Sequence, residues 1–385
     1  MNKRHSGNGR SDRPGLFDPI TIGNLTLENR TVRSATWMGM ADAEGGCTPR
    51  LIEAKAALAR GGVGLIITGL ATVDGASRSG PGMLSCDRGS LVPGLAAMAQ
   101  AVHDNGGRIA LQIAHGGLMA PAELTGQQPV GPSPMMTEQG PLGRALTVEE
   151  IAEIVETFGA AARRAVRAGY DAVQIHAAHG YLLSQFLSPW FNHRTDEYGG
   201  PLENRARLLL QVVRRVREET GEGYPILAKI NVDDRLPEGF GASDMLTVCE
   251  WLQEAEADAI ELSGGTTMAL LQGQPQNSYA RVGDPSVYWR DAAEQLKARV
   301  ALPLILVGGI RSRESAEALL SEGVCDCVAL CRPLIREPDL VARWRSGASA
   351  EAACISCDGC FGPGIAGLGV QCVQLGAQAA AGQAA

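Results

Sequence analysis

Short runs of apolar, often β-branched residues alternate along most of the chain with longer stretches whose apolar positions recur every three or four residues. Eight short runs stand out: Thr31–Ala35, Val63–Thr68, Arg108–Ile113, Ala172–His176, Ile226–Ile230, Ala259–Leu262, Leu304–Val307 and Cys327–Leu330. Most have Gly, Pro or Asp near an edge, the signature of buried strands ended by turns. The stretches between them, such as VEEIAEIVETFGAAARRAVRAG and PLENRARLLLQVVRRVREET, keep the helical period. Eight strand–helix units are what a closed parallel barrel requires, so the pattern predicts an α/β fold, a (β/α)8 TIM barrel. An open doubly wound sheet uses the same alternation, since periodicity says nothing about closure. The count of eight favours the barrel.

Two interruptions break the rhythm. One, PAELTGQQPVGPSPMMTEQGPLG, lies between the third and fourth strands, and the other runs roughly from Thr266 to Asp284 after the sixth. Loops of this length usually serve as lids or binding segments, and both fall on the C-terminal face, where barrel enzymes hold their chemistry. The opening MNKRHSGNGRSDRPG is polar and basic with no apolar run after it, and AQAAAGQAA at the other end has no charge and no large apolar residue. The expected organisation is a disordered segment 1–15, a barrel 16–348, a Cys-rich segment 349–375 and a flexible tail 376–385.

Composition narrows the partners. The 385 residues carry a net charge of −8 with Arg spread along the whole chain, which disfavours nucleic acid and anionic membrane surfaces. The longest apolar stretches, VGLIITGLATV and LPLILVGGI, fall short of the roughly 20 residues that span a bilayer. A cytoplasmic protein acting on a small molecule is expected, with a homo-oligomer left open.

In a barrel, residues at the carboxyl ends of strands converge on one mouth. Those positions are unusually polar: Gln112 and His115, His176 and His179, Lys229 and Asn231, Ser263 with Gly264 and Gly265, Gly308 with Gly309, and Arg332. Any one of them fits a hydrogen-bonded strand end; together they favour a site. The Gly turn after the seventh strand and Arg332 after the eighth suit a phosphate, because barrels often place N–H groups and a helix N-terminus there. That phosphate could belong to a substrate or a cofactor. His176 and His179 lack the HExxH pattern and an evident third ligand for zinc. They fit better as donors to a carbonyl oxygen, with Tyr181 as a proton source.

The segments LFDPITIGNLTLENR, GGVGLIITG, IALQIAHGG, HAAHGYLLSQFLSPWFNHRTDEYGGPLENRARL and LILVGGI, with the Arg-containing end of the eighth strand, occur in the order and spacing of one family. Over residues 16 to 345 the chain resembles the old yellow enzyme family of FMN-dependent oxidoreductases. The resemblance implies FMN at the barrel mouth, with Ser34, Ala35, Thr36 and Gly69 lining it and Gln112 on the pyrimidine edge. Lys229 falls where many relatives have Arg beside N1 and O2, and Gly308, Gly309 and Arg332 would hold the phosphate. His176 and His179 fall on the substrate-oxygen pair and Tyr181 on the proton donor. The implied reaction is ene-reduction: NAD(P)H reduces FMN, and an α,β-unsaturated carbonyl compound then takes the hydride. Alternatives are flavin-dependent oxidation or demethylation of an amine, or a Schiff-base aldolase using Lys229. Trp37 stands where some relatives carry Cys or Thr, and Cys331 replaces the usual Gly before Arg332.

Ten cysteines in a cytoplasmic chain do not suggest a disulfide framework. Cys354, Cys357, Cys360 and Cys372 are spaced C-x2-C-x2-C-x11-C, which suits a [4Fe–4S] cluster or a tetrahedral zinc. A non-catalytic metal or electron carrier built on them is the contrasting possibility. The arrangement resembles the cluster segment of the 2,4-dienoyl-CoA reductase and trimethylamine dehydrogenase branch, without the nucleotide-binding domains that follow it there. Iron is therefore expected ahead of zinc. Cys325, Cys327 and Cys331 fit as small core residues. Gly362, Gly364 and Gly367 form a literal GxGxxG, but no strand precedes it and Pro363 interrupts it, so it is not a dinucleotide fingerprint.

Overall fold

The computed structural model describes residues 13–137, 140–272, 287–347 and 351–375. Eight parallel strands form the barrel: β1 (Thr31–Arg33), β2 (Leu65–Ile67), β3 (Ile109–Ala114), β4 (Ala172–Ala177), β5 (Ile226–Asn231), β6 (Ala259–Ser263), β7 (Leu304–Val307) and β8 (Cys327–Leu330). Each pairs with the next, and β8 returns to β1 through Val328 opposite Thr31 and Leu330 opposite Arg33. The sheet is closed, and the open alternative falls. All eight expected strands exist; half of their sixteen boundaries agree and the rest differ by one or two residues, β1 and β2 ending earlier than expected and β3 to β6 running one residue further.

The helices around the barrel are α1 (Pro49–Arg60), α2 (Val92–His103), α3 (Val148–Arg167), α4 (Leu202–Thr220), α5 (Ala242–Glu254), α6 (Arg290–Lys297), α7 (Arg313–Ser321) and α8 (Leu340–Arg345). The α3 helix shows why such segments form. Thr147 caps it by accepting from the Glu150 N–H at 3.2 Å, while Glu150 accepts from the Thr147 N–H at 2.8 Å, a reciprocal capping box. Its buried face, Ile151, Ile154, Phe158, Ala161, Ala162 and Ala165, follows the helical repeat and packs against α4 and the sheet.

Strand side chains alternate between the helix layer and the barrel interior. Ile109, Leu111 and Ile113 face the helices with Ile226, Ala228 and Ile230. Inside, Val32, Leu65, Ala110, Ala172, Leu227, Ala259, Ile305 and Cys327 form an apolar floor. An antiparallel hairpin, Ile20–Ile22 with Leu25–Leu27, packs Ile22 and Leu27 onto that floor and closes the N-terminal end. Two residues further along the same inward lines, Ala110 gives way to Gln112, Ala172 to Gln174, Leu227 to Lys229 and Ala259 to Glu261. The interior thus turns from apolar to polar towards the C-terminal mouth.

The first long interruption holds a short helix, Ala122–Thr125, a parallel pair (Val130–Gly131 with Arg144–Ala145) and a hairpin of Met135–Thr137 with Gly140–Leu142. The second continues as Thr267–Leu271, and residues 273–286 lie outside the described residues, as do the expected tail and most of the N-terminal segment. Cys325 and Cys327 are buried, whereas Cys331 sits half-buried at the rim, 3.1 Å from Thr36 Oγ1. The GxGxxG glycines fall in and just after a short helix, Phe361–Ile365, with no strand before it. No helix among the described residues is long and apolar enough to cross a membrane.

Candidate active site

Strand register assembles the mouth. Gln112 lies opposite Gln174, His176 opposite Lys229, and Lys229 opposite Glu261. Glu261 is fully buried and accepts from Ser34 Oγ (2.6 Å) and Lys229 Nζ (3.0 Å) through one oxygen, and from Gln174 Nε2 (2.7 Å) through the other. Lys229 Nζ also reaches Ser34 Oγ at 2.9 Å. Gln174 Oε1 in turn accepts from Gln112 Nε2 at 2.8 Å. A carboxylate can only accept, so Glu261 fixes the direction of the whole relay: the Gln174 amide turns its N–H to the acid, and Gln112 turns its own to Gln174. Gln112 Oε1 is left as the acceptor. Glu261 went unnoticed in the sequence; a lone acid inside the apolar run AIEL, two residues beyond a floor position, was the available signal.

Close approach governs the glycines. A Cβ on Gly69 would lie 2.5 Å from Thr36 O, so the first and second strand ends meet only because position 69 has no side chain. At Gly308, φ is +119° and a Cβ would strike the Tyr288 ring at 2.6 Å. Gly309 follows at +80°, and Arg332 opens the short helix Arg332–Arg336 on the neighbouring strand end. Ser34, Ala35 and Thr36 lead away from β1, with the Ser34 N–H bonded to Leu330 O at 3.1 Å. Arg332 is ion-paired to Asp358 of the Cys-rich segment, a partner that sequence reasoning did not foresee. Burial opposes its positive charge, but Asp358, Cys331 and Tyr288 more than offset that and raise its pKa.

The two histidines and the tyrosine converge. The His176 ring lies 5.1 Å from His179 and 5.0 Å from Tyr181, centroid to centroid. His179 takes a left-handed backbone (φ 64°), held by its N–H to Asn231 Oδ1 at 3.1 Å and by Nε2 against Ser263 Oγ at 2.7 Å. His176 is buried and its Nδ1 has no hydrogen-bond partner. Burial, then His179 and Lys229, holds the His176 pKa well below its ordinary value, and burial with Lys229 holds that of His179 at about 3. Both rings are neutral at physiological pH. Burial raises the Tyr181 pKa against the opposing hydrogen bond from Ser79, so the phenol keeps its proton. His115, just past the end of β3, has its pKa pushed to about 4 by burial and accepts from the Gly117 N–H.

The orphaned His176 nitrogen, the Gln112 acceptor and the side-chain-free positions 69 and 308 fit a planar, hydrogen-bonding cofactor with a phosphate. Such a mouth on a (β/α)8 barrel suits a flavin-handling oxidoreductase. Residues 15–351 match the NADH:flavin oxidoreductase / NADH oxidase family, and the chain belongs to it, the old yellow enzyme family. It is 37% identical over 358 residues to an NADH oxidase of Thermoanaerobacter brockii, covering 91% of this chain and 54% of that protein. It is 33% identical over 379 residues to a cinnamate reductase of Clostridium sporogenes, covering 90% and 55%. The chain therefore spans about half the length of these two relatives. The solved structure of morphinone reductase superimposes with a TM-score of 0.76 at 30% identity, covering 89% of this chain and 92% of that one.

The four expected metal ligands are less organised. Cys354, Cys357, Cys360 and Cys372 line one small cavity with Arg332, Arg336 and Asp358. Arg336 and Gln374 donate to the sulfurs of Cys372 and Cys357, each at 3.6 Å. Ser356 and Asp358, between the cysteines, have left-handed backbones at φ 57° and 56°. Among the described residues, however, no three His, Cys, Asp or Glu side chains are drawn together as a ligand set. Burial pushes the Cys360 thiol up to about 12 and raises that of Cys354.

Proposed function

We propose that the chain is an FMN-dependent NAD(P)H oxidoreductase that reduces the double bond of an α,β-unsaturated carbonyl compound. The observation that carries this reading is the buried, unpaired His176 Nδ1 beside His179 and Tyr181. FMN, when bound, supplies a centre that accepts hydride from NADH or NADPH and passes it to the alkene β-carbon. Gln112, with its amide oriented by Gln174 and Glu261, would hold the pyrimidine edge, and Lys229 would place positive charge beside it. Ser34, Ala35, Thr36 and Gly69 would line the ring system, while Gly308, Gly309 and Arg332 would hold the phosphate. His176 and His179, both neutral, donate to the carbonyl oxygen as negative charge builds there. Tyr181 then delivers the proton to the α-carbon. The cinnamate reductase relative, named for an α,β-unsaturated carboxylate, supports this choice of substrate class.

The test separates two half-reactions by rapid mixing. Tyr181→Phe should leave flavin reduction by NAD(P)H near the parent rate and slow its reoxidation by an enone, because only the second step consumes a proton at carbon. Equal losses in both would contradict the assignment. Flavin reduction by an amine in place of NAD(P)H would favour the amine-oxidising alternative. The aldolase alternative has no support, since Lys229 Nζ is buried and committed to Glu261 and Ser34.

We further propose that Cys354, Cys357, Cys360 and Cys372 ligate one metal centre, [4Fe–4S] ahead of zinc. Their shared cavity and the N–H donors at two sulfurs support it, since such donors stabilise metal-bound thiolates. Ligand sites are rarely preformed without their metal, so the open arrangement is expected to close on loading. Protein purified under nitrogen should contain about four iron and four sulfide per chain; stoichiometric zinc would make the segment a structural clip, and no metal would leave four thiols.

A further inference from the structure

Outside the barrel, between α1, the Arg332–Arg336 helix and the Cys-rich segment, lies a second cavity of about 420 Å³. Three cations line it, Arg33, Arg50 and Lys55, and none of its described lining residues is Asp or Glu. In a chain of net charge −8 this local excess is conspicuous. Lys55 projects from α1 and is 1% exposed, and its Nζ has no hydrogen-bond partner. Arg33, also 1% exposed, donates to Cys331 O and, at 3.9 Å, to Met38 Sδ, while its Nε is unpartnered. Neither cation is ion-paired to a carboxylate among the described residues, and two buried cations so placed are costly, a cost relieved when an anion enters. Burial, then Arg33, accordingly holds the Lys55 pKa down at about 7.

The remaining wall is apolar, with Met38, Leu58 and Val370 among its residues. A bare inorganic anion would leave that wall facing water. At roughly 30 Å³ per water-sized group, the volume admits on the order of a dozen heavy atoms. We propose that this cavity is a ligand site, separate from the barrel mouth, for a small amphipathic carboxylate, its head on Lys55 and Arg33 and its apolar body along Met38, Leu58 and Val370. Leu334 and Ile335, which also line it, belong to the helix opened by Arg332. An occupant would therefore brace the element that carries the barrel's anion-holding arginine. This proposal does not depend on the reaction assigned to the mouth.

The probe is octanoate, titrated calorimetrically into the full chain as purified, with octan-1-ol and inorganic phosphate as comparisons. Octanoate should bind once per chain, and at least tenfold more tightly than either comparison. Lys55→Met replaces a buried ammonium by an apolar side chain of similar length and should weaken octanoate at least tenfold, with flavin content unchanged. Equal binding of octanoate and octan-1-ol would overturn the proposal, and that contrast on the parent decides even if the variant fails to fold. So would unchanged affinity in the variant, or phosphate binding more tightly than octanoate. No octanoate binding, together with loss of iron in Lys55→Met, would assign the ammonium to the cysteine centre instead and would likewise overturn it.

Discussion

The barrel mouth and the Cys-rich segment both gather reactive side chains at the C-terminal end of the molecule, yet they are built in opposite ways. At the mouth, neighbouring strands deliver Gln112, Gln174, His176, Lys229 and Glu261 at fixed register, and hydrogen bonds link four of these five in one relay. In residues 351–375 the regular structure described is a five-residue helix, Phe361–Ile365, and the helical residues 373–375, and Cys357 is exposed. A ladder of backbone bonds positions side chains whether or not a ligand is present; a segment with little regular structure lacks such a ladder. The Arg332–Asp358 pair joins the two regions.

Changes at the mouth should therefore cost rate while the fold survives. The largest expected effect is on Tyr181→Phe, about 10²–10⁴ in the rate of alkene reduction, followed by His176→Ala at about 10²–10³. Single-turnover reoxidation of the reduced protein by an enone measures both. If either variant instead lost flavin, the residue would be structural.

Next in size is Glu261→Gln. Removing one charge of a buried pair costs about 3 kcal/mol or more of stability when the partner stays buried, and a Gln can donate as well as accept, so the relay loses its fixed direction. Denaturant unfolding should show the loss, and Lys229→Met added to Glu261→Gln should recover part of it. Additive losses would mean that Lys229 is satisfied without the acid.

Arg332→Ala should weaken FMN by about 1.5–3 kcal/mol, the range for a charge-assisted contact, measured by flavin release on dilution. It should also free Asp358 and speed proteolysis within residues 351–375, which sharpens the contrast between the regions. Intact resistance would show that the segment holds itself.

The smallest effect is on acid stability. His176 and His179 are held neutral in the fold, well below the ordinary value near 6.5. Their contribution is complete above about pH 6.5 and is lost as the pH falls towards about 3, because the unfolded chain binds protons that the folded one refuses. Unfolding midpoints recorded from pH 8 to 4 should fall, and His179→Gln should flatten the slope.

The frame of the molecule was legible because the barrel strands are short apolar runs, polar only towards the mouth, and the helices between them carry a period. The strand count and the convergence of Gln112, His176, His179 and Lys229 followed from that frame. Closure followed only from the count of eight, since the pairing of Val328 with Thr31 leaves no mark on either segment. The floor hairpin was hidden in three-residue strands, too short for a pattern. Glu261, Lys55 and the Arg332–Asp358 pair were missed for one physical reason: a buried charge is explained by its partner, or by the lack of one, and partners more than twenty residues away are invisible to local spacing.

The central claim is that the mouth cycles hydride from NAD(P)H to an activated alkene. An anaerobic titration tests it most directly: one equivalent of NADH or NADPH, then one of an enone, with flavin absorbance and the saturated product followed together. The account predicts that the flavin bleaches with the nicotinamide and recovers with the enone, one saturated product forming per FMN. Bleaching that only oxygen or another acceptor reverses, with the enone unchanged, would contradict it.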